Sequence, residues 1–176
     1  LIDSGAGLLV KAGALNNAAG NLAAQQDLSF EGSSLDNSAG NLSSRGTLTL
    51  DLLGALSNAS GKLASGGNLL LRRSAAIDNQ AGQLISQGQM VLNTSGQLDN
   101  RHRGTVAASN TLTVAASGSV LNDADGLIYS QDADARVQAA SLSNVSGTVQ
   151  ARGALGVDVA SVVDNQNGRI IAQGGD

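Results

Sequence analysis

One phrase returns every 20 to 22 residues along this chain. It reads aliphatic-x-Asn-x-x-Gly-x-aliphatic-x-small, followed by a few polar residues and then aliphatic-x-aliphatic. It begins at Leu15, Leu35, Leu56, Ile77, Leu98, Val120, Leu142 and Val163. A fixed period of this size marks a solenoid, in which each repeat is one supersecondary unit that buries its apolar side only by stacking on its neighbours.

The columns of the repeat carry the physics. Two residues after each anchor stands Asn: Asn17, Asn37, Asn58, Asn79, Asn100, Asn122, Asn144 and Asn165. In an extended segment that position points to the same side as the anchor, so the amides face inward or sit at the bend closing the strand. Stacked there, they can hydrogen-bond from winding to winding as a ladder. Asn also tolerates the left-handed conformation of a sharp corner. Three residues later comes Gly20, Gly40, Gly61, Gly82, Gly147 or Gly168. Gly104 and Gly126 arrive one residue late, so units five and six carry an extra residue. Asn-x-x-Gly between apolar runs reads as a turn in which Gly supplies positive φ.

Next come Leu22, Leu42, Leu63, Leu84, Val106, Ile128, Val149 and Ile170, each followed two residues on by Ala or Ser. That small column (Ala24, Ser44, Ser65, Ser86, Ala108, Ser130, Ala151, Ala172) implies a tight corner. Apolar pairs such as Leu48 with Leu50 and Leu112 with Val114 complete the core. In unit six Asp134 and Arg136 fall in those slots; a one-residue shift restores Ala135 and Val137 and implies a bulge. A second small column (Gly13, Ser33, Gly54, Ala75, Gly96, Gly118, Ala140, Ser161) marks the last corner. No helical stripe is sustained, and stretches such as Thr47-Leu48-Thr49-Leu50 have strand character. The expectation is an all-β, right-handed parallel β-helix with three short strands per coil and seven to eight coils of 20–22 residues. At a strand spacing of about 4.8 Å the rod is about 35–40 Å long.

Composition agrees and excludes. There are 23 Gly, no Pro, Cys or Trp, one Phe and one Tyr, so the core consists of small aliphatic stacks. A net charge of −4 with no basic stripe argues against nucleic acid. Without Cys there is neither a disulfide framework nor a thiolate metal site. No apolar run reaches the roughly 18 residues of a transmembrane segment. Residues 1–176 read as one β-helical segment, an excerpt of a longer protein that opens inside a repeat and stops where Asp176 holds a slot filled by Leu elsewhere. Residues 1–14 read as an irregular or incomplete first coil. Ile2-Asp3-Ser4-Gly5 has the phrase with Ser4 for Asn, yet Leu15 follows after only 13 residues. The free ends of such an excerpt are expected to fray or to associate edge to edge.

Phrases such as Leu35-Asp36-Asn37-Ser38-Ala39-Gly40-Asn41-Leu42 and Ile77-Asp78-Asn79-Gln80-Ala81-Gly82-Gln83-Leu84 resemble the haemagglutinin repeats of filamentous haemagglutinin-type exoproteins. The resemblance runs from Leu15 to Gly175. It implies a two-partner-secreted protein exported through an outer-membrane transporter to the surface of a Gram-negative bacterium. It further implies a structural and adhesive rod that meets a host or bacterial cell-surface receptor or glycan. The alternative is the stalk of a contact-dependent growth-inhibition toxin that delivers a C-terminal effector. The third reading is a polysaccharide-active enzyme.

Few residues look chemical. Arg101-His102-Arg103 sits in the longer turn of unit five and reads either as a small cationic binding patch or as a solvated turn that carries little stability. His102 is the only His, with no obvious carboxylate to orient it for a Ser-His-Asp arrangement. Asp123, Asp125, Asp132 and Asp134 cluster around the irregular unit, but the later ligands of a calcium loop are missing. Asp36, Asp78, Asp99 and Asp164 recur beside the Asn column, which marks a structural slot rather than converging catalytic carboxylates. Arg72-Arg73 reads as an exposed pair at a strand end. No catalytic residue, metal site or cofactor is expected.

Overall fold

A computed structural model describes residues 1–174, whose regular structure is strand throughout. Each winding runs through three short strands, as in Asn21–Ala24, Leu28–Gly32 and Ser34–Asp36. Equivalent strands stack into three parallel sheets of nine, eight and eight strands, here sheets A, B and C in the order the chain visits them. This is a parallel β-helix of about eight windings.

Period-two alternation sends one residue of each pair inward, and in-step stacking piles like upon like. In sheet A, Leu22 pairs with Leu42, Leu42 with Leu63, Leu63 with Leu84, and Leu84 with Val106. Sheet B stacks Leu28, Leu48, Leu69, Met90 and Leu112. Sheet C stacks Leu15, Leu35, Leu56, Ile77 and Leu98. Inward side chains of the inner windings are fully buried, among them Phe30, the only aromatic residue in the core. Leu8, Val10 and Leu15, stacked on one side only, are part-buried.

Unit six absorbs its extra residue as the sequence implies: Leu112 pairs with Ala135 and Val114 with Val137, which turns Asp134 and Arg136 out of the core. The first winding needs a different alignment. Ile2 pairs with Leu22, not with the anchor column, and Leu8 pairs with Leu28. The 13-residue gap to Leu15 is therefore the ordinary distance from a sheet A strand to a sheet C strand. The slot of Asp176 lies outside the described residues.

The corner between sheets C and A corrects the expected roles of Asn and Gly. The left-handed residue is neither of them; it is the one before Gly, with φ of 51° at Ala19, 52° at Ala39, 55° at Ser60 and 54° at Ala81. Glycine is required there for space. A Cβ on Gly104 or Gly126 would lie 2.5 Å from the carbonyl oxygen of Asn79 or Asn100 in the preceding winding. The hydrogen-bonded turn normally runs from the Gly N–H back to the Asn carbonyl, at 2.9 Å for Gly40 to Asn37. In windings five and six it runs from Gly104 to Arg101 and from Gly126 to Asp123. Both central residues are then left-handed: His102 and Arg103 at 57° and 67°, Ala124 and Asp125 at 52° and 63°. That is the signature of a primed turn, and it is how each extra residue is accommodated.

Candidate functional site

Three features of the rod are candidates for function: the buried amide row, the enlarged turns of windings five and six, and the corner between sheets B and C.

The amide row is internal. Asn37, Asn58, Asn79, Asn100, Asn122 and Asn144 are wholly buried. Each Nδ2 donates to the Oδ1 of the next Asn, from Asn17 to Asn165, at 2.6–2.8 Å. The second amide hydrogen serves a main-chain carbonyl in the next winding, as from Asn79 to Thr105 at 3.0 Å, and also approaches the turn glycine of its own winding, at 3.3 Å for Asn79 to Gly82 and 2.9 Å for Asn100 to Gly104. Every amide points the same way along the rod. Among the described residues no buried side-chain polar atom lacks a partner. This arrangement keeps polar groups at the core and leaves no group to meet a ligand.

At the same corner the outward sheet C column carries Asp36, Asp78 and Asp99. Their Oδ1 atoms accept the main-chain N–H two residues on, at 2.9, 3.1 and 3.2 Å, and so shape the turn. The Ser38 N–H, with help from its hydroxyl, holds the Asp36 carboxyl below its ordinary value. Asp164 Oδ1 accepts the Gln166 N–H at 3.2 Å in the same way as the other three accept theirs.

His102 and Arg103 are exposed, while Arg101 is half-buried. Arg101 grips the buried Asp99 through two bonds, Nε to Oδ1 at 2.9 Å and Nη2 to Oδ2 at 2.7 Å. Hydrogen bonding and the charge of Asp99 push the guanidinium up, with Asp123 and Asp78 adding to it. Its head is thus a counter-ion for a row of carboxylates. His102 Nδ1 lies 3.2 Å from Gln80 Oε1, with no carboxylate on the ring. Arg103 and Asp125 face each other at 3.8 Å, both well exposed. The sequence expectation treated the three residues of this turn alike, whereas only Arg101 has a buried carboxylate as its partner. Asp99 was the missing signal: its carboxyl accepts the main-chain N–H of Arg101 two residues on, which brings the Arg101 side chain back onto it.

The four acids around unit six divide between two corners. Asp123 Oδ1 accepts from Ser143 Oγ at 2.6 Å and from the Val145 N–H at 2.8 Å. Asp134, beyond the next sheet A strand, accepts the Ala154 N–H at 2.8 Å. Among the described residues no three acids or histidines converge to hold a metal ion.

The third feature was read in the sequence only as a corner. Three shallow recesses of about 410, 450 and 480 Å³ line up between sheets B and C. Small residues such as Gly13, Ser33, Ala116 and Ala140 make the floor. The rim carries outward ion pairs, Lys11 with Glu31 at 2.6 Å and Arg73 with Asp51. Arg72 and Arg73 are both exposed at the end of their strand, as the sequence implies, and Arg73 reaches Asp51 through a bulge that leaves Arg72 unmatched. In the recess of about 480 Å³ the charged groups are paired with one another, and the Ser33 hydroxyl donates to the Gly13 carbonyl.

Windings of one repeat stacked in step, an internal amide row and outward charges joined in ion pairs define a repeat rod. The family description for the haemagglutinin repeat matches residues 1–51, 50–102, 92–133 and 107–175. The chain belongs to the haemagglutinin-repeat family. No curated protein matches it, and no solved structure does.

Proposed function

We propose that this segment is a structural and adhesive rod of a secreted bacterial surface exoprotein. Its work is to span distance and to present side chains along three flat faces to a cell-surface receptor or glycan. The observation that supports this reading is the amide row running unbroken from Asn17 to Asn165, which makes the whole segment one continuous stack. The windings spend their polar groups on one another, and the charged groups of the recesses are taken up in ion pairs, which favours a non-enzymatic role. Export through an outer-membrane transporter belongs to the same reading.

The test is to coat beads with the folded chain and measure their capture by bacterial and epithelial cells. Saturable capture that is lost when the chain is unfolded in urea is the expected result. Beads that bind no better than uncoated ones would remove the adhesive role and leave a spacer. Cleavage of a polysaccharide by the chain, lost on Asp123→Asn, would replace the reading with an enzyme.

A further inference from the structure

The left-handed position before the corner glycine is exposed in every winding. It holds Ala19, Ala39, Ser60, Ala81 and Ser146, and in the last winding Asn167, with φ 54°. Asn167-Gly168 is the sole Asn-Gly pair in the chain. We infer that Asn167 is a self-modification site, at which the chain converts its own asparagine to aspartate and isoaspartate without an enzyme.

The chemistry needs only water. The Gly168 main-chain nitrogen attacks Cγ of Asn167 and gives up its proton, and the side-chain nitrogen leaves as ammonia. Water then opens the cyclic imide at either carbonyl, which yields aspartate or isoaspartate. Gly168 favours attack because no Cβ shields its nitrogen. One exposed turn bond, from the Gly168 N–H to Asn165 O at 3.0 Å, must open first. The Asn167 side chain itself makes no hydrogen bond among the described residues.

The ladder asparagines are the contrast. Asn37 precedes the small Ser38, yet its Nδ2 is held by Gly40 O, Asn58 Oδ1 and Lys62 O inside the core. Ammonia cannot leave there without breaking the row. The product at 167 is tolerated for a geometric reason. Isoaspartate lengthens the main chain within a turn that in windings five and six already accepts a whole extra residue. The reaction therefore adds a negative charge beside Arg169 and leaves the stack in place.

The experiment ages the folded chain at mildly alkaline pH and digests it with trypsin, which releases residues 153–169 as one peptide. The expected result is a gain of one mass unit mapped to Asn167, split into two chromatographic isomers. Asn167→Ala, which restores the residue of windings one, two and four, should abolish the gain. A folded chain that stays unmodified while the urea-unfolded chain gains mass would overturn the inference. So would a gain that maps to Asn165, or one that appears equally at Asn37.

Discussion

Asn79 donates to Asn100 across 2.7 Å, although the turn after Asn100 is one residue longer than the turn after Asn79. The inserted residue is pushed wholly outward, and the amide row does not register it. Removing one rung should therefore be felt along the row. Asn79→Leu strips Asn58 of an acceptor, leaves Asn100 Oδ1 without its donor and removes one bond to the Thr105 carbonyl. The expected cost is about 1–3 kcal/mol, read as a lower urea midpoint. An unchanged midpoint would mean that the row contributes nothing.

Space and backbone conformation can be separated at the neighbouring turn. Gly82→Ala places a methyl against Asn58 O and should destabilise by about 1–3 kcal/mol through overpacking. Ala81→Gly relieves a left-handed alanine, a conformation that costs an L-residue about 1–2 kcal/mol, and should be neutral or stabilising. The thermal melt should fall for Gly82→Ala and hold or rise for Ala81→Gly.

The longer turn of winding five should divide in the same way. Arg101→Ser leaves the Asp99 carboxylate, 5% exposed, without its bidentate partner. Chemical denaturation should show a loss of about 1–3 kcal/mol. The double change His102→Ser with Arg103→Ser touches only exposed groups and should stay within about 0.5 kcal/mol of the parent.

Much of this was legible in the sequence, and the failures share a cause. The stacking order, the inward Asn and the bulge that restores Ala135 and Val137 follow from periodicity, because alternation and repeat length fix which side chains pile up. The left-handed residue does not, since Ala81 and Gly82 are both small and only the close approach of Asn58 O tells space from φ. Arg101 looked free because the turn that starts at Asp99 folds its side chain back onto that carboxylate, a contact that no residue count along the chain displays. The recesses between sheets B and C were hidden because a small-residue column reads alike whether it lines a groove or merely turns a corner.

Acid should loosen the turn at Asp36. Its folded-state carboxyl sits below the ordinary 3.8, so between the two values the unfolded chain binds more protons. Stability is then complete above about pH 4 and declines as pH falls through the lowered folded value. Asp36→Asn keeps an acceptor for the Ser38 N–H without titrating. Urea midpoints at falling pH should show a smaller acid loss in this variant, and equal losses would remove Asp36 as a contributor.

The stacking register itself is open to cross-linking, because the chain has no cysteine of its own. Thr49, Leu70 and Val91 follow one another up the outer face of sheet B. Adjacent windings are about 4.8 Å apart, inside the roughly 4.4–6.8 Å that a disulfide spans between Cα atoms. On mild oxidation the pair Thr49→Cys with Leu70→Cys should lose both free thiols. Thr49→Cys with Val91→Cys, two windings apart at about 10 Å, should keep them. Closure of the 49–91 pair, with the 49–70 pair remaining open, would contradict windings stacked in step.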